Sequence, residues 1–178
     1  MASKHAQDLK RRIDSAYENL RRQLQGMDAY MEHADAPGEW TTREVLSHLL
    51  FEPGFDPAAT LATFSERDYP VVEIGPGDTF LDEPRRQLTL AQFRGALDAQ
   101  RRRVLEYIEG LEEPAFERRK ARIPLFKQFM GTDEITIDMY VGAMFDYHWN
   151  DHAGQLEKIR QAVGLDSDAA AKPGGVRA

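Results

Sequence analysis

The sequence contains no cysteine, which excludes disulfide bonds, thiolate metal ligands and a cysteine nucleophile. Any metal site in this chain must therefore use nitrogen and oxygen ligands. The sequence also has no apolar run near the roughly 20 residues that a membrane-spanning helix requires. Residues 1–10 lack the apolar block that is typical of a secretory signal peptide. We therefore expect a cytoplasmic protein that has no membrane partner.

The chain has no excess of basic residues. Its formal net charge of -7 at pH 7 argues against nonspecific attraction to nucleic acid phosphates. The basic clusters at residues 10–12, 21–22 and 101–103 lie in helical patterns interleaved with acidic residues, as is typical of solvated helix faces. We therefore predict no nucleic-acid partner.

Four long segments repeat apolar residues every three or four positions, which is the spacing of an amphipathic helix. They run from about residue 3 to 30, from 41 to about 52, from 89 to 111, and from 132 or 133 to about 164. Thr41 and Thr89 each begin a capping-box pattern, with Glu44 and Gln92 three residues later. Asp56 and Pro57 predict a further short helix. Thr132 or Asp133 is expected to cap the last helix.

Two long connections separate these helices, and both contain several proline residues. Residues 69–84 predict a crossover loop, and residues 113–131 form a second irregular stretch. A long loop in a compact domain needs a reason, and covering a site is one such reason. We predict an all-α four-helix bundle with a long crossover connection and with strands minor or absent. Residues 1–165 should form one domain, and residues 166–178 a disordered tail.

Two histidines occupy the apolar stripe of the last helix, where hydrophobic side chains are expected. His148 and His152 lie one turn apart, between Phe145 and Leu156. Burying an imidazole without a partner costs about 1–3 kcal/mol, so these rings need hydrogen bonds or a metal. His48, in a separate apolar helix, could supply a third nitrogen and leave coordination positions open for water. From the residues alone, a metal site and a set of hydrogen-bonded core histidines both remain open.

Several polar and aromatic residues lie near these histidines in the sequence. Glu52, one turn after His48, could accept a hydrogen bond, relay a proton or act as a fourth ligand, although a solvent-facing acid is the commoner case. Asp146 and Asp151 point away from the histidine stripe, which predicts supporting or surface positions. Three aromatic residues could line a pocket or pack in the core: Tyr140, Tyr147 and Trp149.

Two motifs in the second and last helices carry a family resemblance. They are Trp40-Thr41-x-x-Glu44-Val45-Leu46-x-His48-Leu49 and Tyr147-His148-x-x-x-His152-x-x-Gln155-Leu156-x-x-Ile159-Arg160. In their order and context, they resemble the DinB-like, or YfiT-like, superfamily of metalloenzymes over about residues 5–163. The resemblance implies a four-helix bundle with a long crossover, in which His48, His148 and His152 bind a divalent metal ion. Zinc and nickel are the metals that we expect.

The resemblance also implies a class of activity. It predicts a divalent-metal-dependent enzyme that acts on a small molecule, as a hydrolase or as a thiol-dependent transferase. A chain without cysteine would have to use a low-molecular-weight thiol from outside as its nucleophile. The alternative is a non-catalytic DinB-like bundle that binds a partner or takes part in a stress response. We also expect a homodimer formed through exposed helix faces. The break at residues 51–55 departs from the family pattern and predicts a different pocket shape.

Overall fold

The structure, a computed structural model, describes residues 3–75 and 77–165. The predicted tail at residues 166–178 lies outside the described residues. The helices are α1 (Lys4–Gln23), α2 (Thr42–Leu49), α3 (Pro57–Ala62), α4 (Glu83–Arg86), α5 (Leu90–Glu109), α6 (Ala115–Arg118), α7 (Lys127–Met130), α8 (Ile137–Val141) and α9 (His148–Ala162). The strands are β1 (Lys120–Arg122) and β2 (Glu134–Thr136). A π-helical segment, Gly142–Tyr147, joins α8 to α9, and Asp28–Tyr30 and Pro124–Phe126 form 3₁₀ turns.

The helices pack as a four-helix bundle around one hydrophobic core. The long α1 contacts both α9 and α5, and α2 contacts the same two helices. The core is built from fully buried side chains of these elements, including Leu9, Ile13, Leu46, Phe93 and Trp149. This packing confirms the predicted fold class, an all-α four-helix bundle. The described part of the chain contains no helix long and apolar enough to cross a membrane.

The first helix is shorter than its apolar pattern predicted. The helix ends at Gln23 rather than near Tyr30, because Gly26 adopts a left-handed conformation with a φ angle of 74°. Arg160 of α9 donates hydrogen bonds to the carbonyl oxygens of Gln23, at 3.1 Å, and Gln25. A cation from another helix thus caps the end of α1, which an apolar repeat cannot indicate.

Both predicted capping boxes form. At the start of α2, Thr41 accepts a hydrogen bond from the amide of Glu44, whose carboxylate accepts one from the amide of Thr41 at 2.8 Å. Thr89 and Gln92 make the same pair of contacts at the start of α5. These two helix starts were therefore predicted correctly from sequence.

The last helical run, which comprises α8, the π-helical segment and α9, begins later than predicted. Its cap is Thr136, which accepts a hydrogen bond from the Met139 amide, and not Thr132 or Asp133. The residues before it form β2, which pairs antiparallel with β1 in the register Ala121 to Ile135. Strands of three residues are too short to show an alternating pattern, so the sequence did not reveal this pairing.

Candidate functional site

Three histidines from α2 and α9 converge. One ring nitrogen from each of His48, His148 and His152 lies within 4.8 Å of the other two. The Nε2 atoms of His48 and His148 are 2.8 Å apart, and the His152 ring centre is 4.7 Å from each of the other ring centres. The structure therefore brings together all three histidines that the sequence analysis selected. His5 and His33 lie elsewhere, where His5 bonds to Glu113 and His33 packs against Tyr30.

Two of the three rings are oriented from behind by oxygen atoms. The Nδ1 atom of His48 lies 2.6 Å from the carbonyl oxygen of Asp78, and that of His152 lies 2.8 Å from Oε1 of Gln155. Because a carbonyl oxygen only accepts hydrogen bonds, each Nδ1 carries the proton. In the neutral rings, both Nε2 atoms then present a lone pair. Metal-binding histidines in proteins are usually oriented in this way.

The third ring has no satisfactory neutral tautomer. The Nδ1 atom of His148 is buried and makes no hydrogen bond of normal geometry to a described residue. The Met144 carbonyl raises the pKa of His148, but it is the smallest of the influences on this ring. A proton on Nε2 leaves this Nδ1 as a buried acceptor without a donor. A proton on Nδ1 leaves two Nε2 lone pairs facing each other at 2.8 Å. A cation that accepts the three lone pairs would relieve this conflict, so the donor set fits a metal.

Burial keeps the three histidines neutral. Desolvation is the main cause of a lowered pKa at His48 and His152, and it lowers the pKa of His148 to about 3. Electrostatic repulsion from His152 acts in the same direction on the other two rings. At pH 7 all three rings are therefore neutral, which is the form that binds metal ions.

An aromatic ring stacks on each histidine, and we call Trp40, Phe51 and Phe80 the aromatic collar. Trp40 lies 6.1 Å from the His152 ring at an interplanar angle of 5°. Phe80 stacks on His48 at 6.2 Å and 2°, and Phe51 lies 5.9 Å from His148 at 25°.

Two members of the collar adopt a backbone conformation that is unusual for phenylalanine. Phe51 and Phe80 have φ angles of 60° and 52°. Such left-handed residues cost about 1–2 kcal/mol each unless they are glycine. Phe51 takes the position just after the end of α2, where helices commonly use glycine. Strain of this kind is concentrated at functional sites, and here it places two rings against histidines.

Arg85 fastens the crossover loop to α2. Its Nη1 atom donates hydrogen bonds to the carbonyl oxygens of Ser47, at 2.9 Å, and Phe80, at 3.3 Å. Burial lowers the pKa of this guanidinium. The loop that carries Asp78 and Phe80 is thereby fixed beside His48. The crossover loop therefore lies against the candidate site.

A cavity of about 1110 Å³ opens onto the histidines. Glu52, Asp146, Asp151 and Tyr147 line it, and Glu52 is exposed. No hydrogen bond joins the Glu52 carboxylate to a described histidine, so its role stays a prediction. Tyr140 and Trp149 are instead fully buried in the core. The hydroxyl group of Tyr140 and the indole nitrogen of Trp149 have no hydrogen-bond partner among the described residues.

Sequence reasoning missed the residues that hold the histidines in place. Asp78, Phe80 and Arg85 belong to a connection rich in proline and glycine, where no periodic pattern marks a contact. Gln155 lies in the second family motif, but the motif does not indicate its contact with His152. Phe51 belongs to the predicted helix break at residues 51–55. Its position between a helix end and a Pro-Gly pair was the available signal of unusual backbone.

Comparisons with known proteins support the fold. No family model and no curated protein matches the chain. Among solved structures, the chain is similar to YfiT from Bacillus subtilis, which is described as a probable metal-dependent hydrolase with an unusual four-helix bundle topology. The two are 16% identical in sequence, with a TM-score of 0.70, over 93% of this chain and 92% of that chain. The predicted YfiT-like resemblance is therefore confirmed for the fold.

Proposed function

We propose that this chain is a divalent-metal-dependent enzyme that acts on a small molecule, with His48, His148 and His152 as the metal ligands. The observation that carries the proposal is the convergence of three neutral imidazoles, in which no arrangement of protons satisfies His148. The description of YfiT as a probable metal-dependent hydrolase is consistent with this proposal. Imidazole nitrogen suits zinc and nickel, and these are the metals that we propose.

The residues around the histidines have separate tasks in this proposal. When bound, the metal ion would supply Lewis-acid activation of a water molecule or a substrate oxygen. The Asp78 carbonyl and Gln155 hold two rings in the correct tautomer, and the aromatic collar limits the access of water behind the rings. Glu52 is the carboxylate on the cavity wall that we assign to accept or return a proton.

Hydrolysis is the reaction class that we favour. YfiT has the same fold and is described as a probable hydrolase. Transfer of a low-molecular-weight thiol is the second candidate, because a cavity of about 1110 Å³ is slightly larger than the pockets that usually hold one drug-sized ligand. We further propose that residues 1–165 form one domain, and that the protein works in the cytoplasm and pairs as a homodimer.

An activity screen on untagged protein tests this function. The protein is stripped of metal, reloaded with zinc or nickel, and assayed against chromogenic esters, amides and phosphoesters, with and without an added thiol. We expect turnover that requires reloading and that falls at least 100-fold in His148→Ala. His33→Ala is the matched control, because the His33 ring packs against Tyr30 and does not line the cavity. A bundle that carries metal but turns over no substrate would favour the non-catalytic alternative.

A further inference from the structure

The cavity at the histidines continues to the surface segment that contains α7. Leu125, Phe126, Phe129 and Met130 line it together with the three histidines. Its volume of about 1110 Å³ is slightly above the range of about 300–1,000 Å³ that is typical of small-molecule pockets. A substrate with one end at the histidines therefore has room for a sizeable second part.

The walls of this continuation are largely apolar. Phe55, Leu125 and Met139 are among the side chains that face it. Three large apolar residues on the same cavity are exposed to solvent: Phe129 at 75%, Tyr147 at 75% and Met130 at 40%. Single exposed apolar residues are ordinary, but several on one concave surface indicate a binding site. The second part of the substrate should therefore be apolar.

The charged groups on this cavity are mostly negative. Five carboxylates line it, and they belong to Glu52, Glu73, Asp138, Asp146 and Asp151. Among the described residues of this lining, Arg12 carries the one guanidinium, and its Nε atom already donates to Asp146 at 2.8 Å. Like charges repel strongly in a partly desolvated cleft, so these carboxylates disfavour the binding of a negatively charged ligand. They do not repel a neutral or cationic ligand.

We propose that the substrate is an amphipathic small molecule whose part remote from the histidines is apolar and either neutral or cationic, and that the cavity discriminates against anionic substrates. This inference rests on the proposed function only in that the histidines take the reacting end. It concerns the other walls of the cavity, which the proposed chemistry does not use.

Ligands with one metal-binding group and different tails test the selectivity. The probes are acetohydroxamate, octanohydroxamate, and two eight-carbon hydroxamates that end in an ammonium or a carboxylate group. Each is titrated calorimetrically into zinc-loaded protein at pH 7.5. We expect octanohydroxamate to bind at least tenfold more tightly than acetohydroxamate, because buried methylene groups contribute to affinity. The ammonium probe should bind at least tenfold more tightly than the carboxylate probe. Equal affinities, or the reverse order, would overturn the proposal.

Two variants place the effect on the cavity. Phe129→Ser should weaken octanohydroxamate at least threefold and leave acetohydroxamate unchanged. Val71→Ser is the matched control, since Val71 is 62% exposed but does not line the cavity. The double variant Glu73→Gln, Asp138→Asn should reduce the difference in affinity between the ammonium probe and the carboxylate probe. If the control and Phe129→Ser behave alike, the apolar continuation is not the binding surface.

A metal-free experiment separates this inference from the proposed function. Octylamine and octanoate are titrated into metal-stripped protein and followed by chemical-shift changes of the cavity residues. We expect octylamine to bind at least fivefold more tightly than octanoate. If the protein takes up no zinc yet shows this preference, the metal proposal fails and the cavity inference stands. If acetohydroxamate binds to the zinc-loaded protein but octylamine and octanoate bind the stripped protein equally well, the cavity inference alone fails.

Discussion

At the scale of single residues, the site is defined by which ring nitrogen of each histidine carries the proton. His48 and His152 each donate from Nδ1 to an oxygen behind the ring, which turns Nε2 toward the common point. Their acceptors differ, since His48 uses a backbone carbonyl and His152 uses the side chain of Gln155. The Gln155 contact can therefore be removed by mutation without touching the backbone.

Gln155→Leu should weaken metal binding by about 10–100-fold, the usual effect of removing a hydrogen-bond acceptor behind a metal ligand. The reason is that His152 loses the contact that fixes its tautomer and ring orientation. Gln155→Glu is the control, because it keeps an oxygen at the same position and should retain metal binding. Competition with a metal-indicator dye measures both affinities. Unchanged affinity in Gln155→Leu would show that this contact does not orient the ring.

His148 should make metal-free protein sensitive to acid. Burial lowers its pKa to about 3, whereas the unfolded chain has a value near 6.5. Below pH 6.5 the unfolded chain therefore takes up a proton that the folded chain excludes, and the free energy of unfolding falls until the pH reaches about 3.

The variant His148→Leu should lose less stability than the wild type across this pH window, by on the order of a few kcal/mol. Urea unfolding of metal-stripped protein at pH 7, 6, 5 and 4 measures the difference. Parallel losses of stability in the two proteins would contradict the assigned burial of His148.

Sequence alone could find the histidines but not the residues that support them. His48, His148 and His152 were recognisable because each interrupts an apolar helical repeat. Asp78 and Phe80 contact His48 from a loop whose path depends on Arg85, and these contacts have no periodicity to reveal them. The left-handed conformations of Phe51 and Phe80 are likewise products of tertiary packing.

At the scale of helices and strands, the placement of His48 depends on α2. This helix has only eight residues, so its capping box accounts for much of its intrinsic stability. The chain contains a second capping box of the same kind on α5, a helix that carries no histidine. The two boxes allow a matched comparison.

Thr41→Ala and Thr89→Ala should each lower the free energy of unfolding by about 1 kcal/mol, because each removes an N-cap hydrogen bond. Only Thr41→Ala should also weaken metal binding, since it loosens the helix that presents His48. Urea denaturation and metal titration of both variants make the comparison. An equal effect of the two variants on metal affinity would show that metal binding does not depend specifically on the stability of α2.

The limits of helix prediction from this sequence have particular causes. The starts of α2 and α5 were predicted because capping boxes are local signals. The end of α1 was missed because it depends on the left-handed Gly26 and on Arg160 from the other end of the chain, and an apolar repeat indicates neither. The π-helical segment before His148 was also missed, although such segments are frequent at functional sites. The apolar stripe through it resembles an ordinary α-helix.

At the scale of the whole molecule, a metal at this site would join two helices that are far apart in the sequence. His48 and His148 are separated by 100 residues and meet through the packing of α2 against α9. A ligand that binds only the folded state stabilises it in proportion to the logarithm of its concentration. Metal binding should therefore appear as a change in global stability.

Free zinc at about 100 times the dissociation constant should stabilise the fold by about 2.7 kcal/mol. For a chain of this size, that corresponds to a rise of about 5–10 °C in the midpoint of thermal unfolding. Calorimetry of stripped protein, with and without zinc, measures the shift. The triple variant His48→Ala, His148→Ala, His152→Ala should show no shift. A similar rise in the triple variant would mean that zinc stabilises the protein at another place.

The most direct test of the proposed metal site is the metal content of untagged protein, measured by elemental mass spectrometry. We predict close to one divalent ion per chain in the wild type and in His33→Ala, and less than a tenth of an ion in His48→Ala and His148→Ala. We also predict that stripped wild-type protein regains one ion when it is incubated with zinc or nickel. Protein that takes up no ion under these conditions, or variants that retain it, would contradict the assignment of the three histidines as metal ligands.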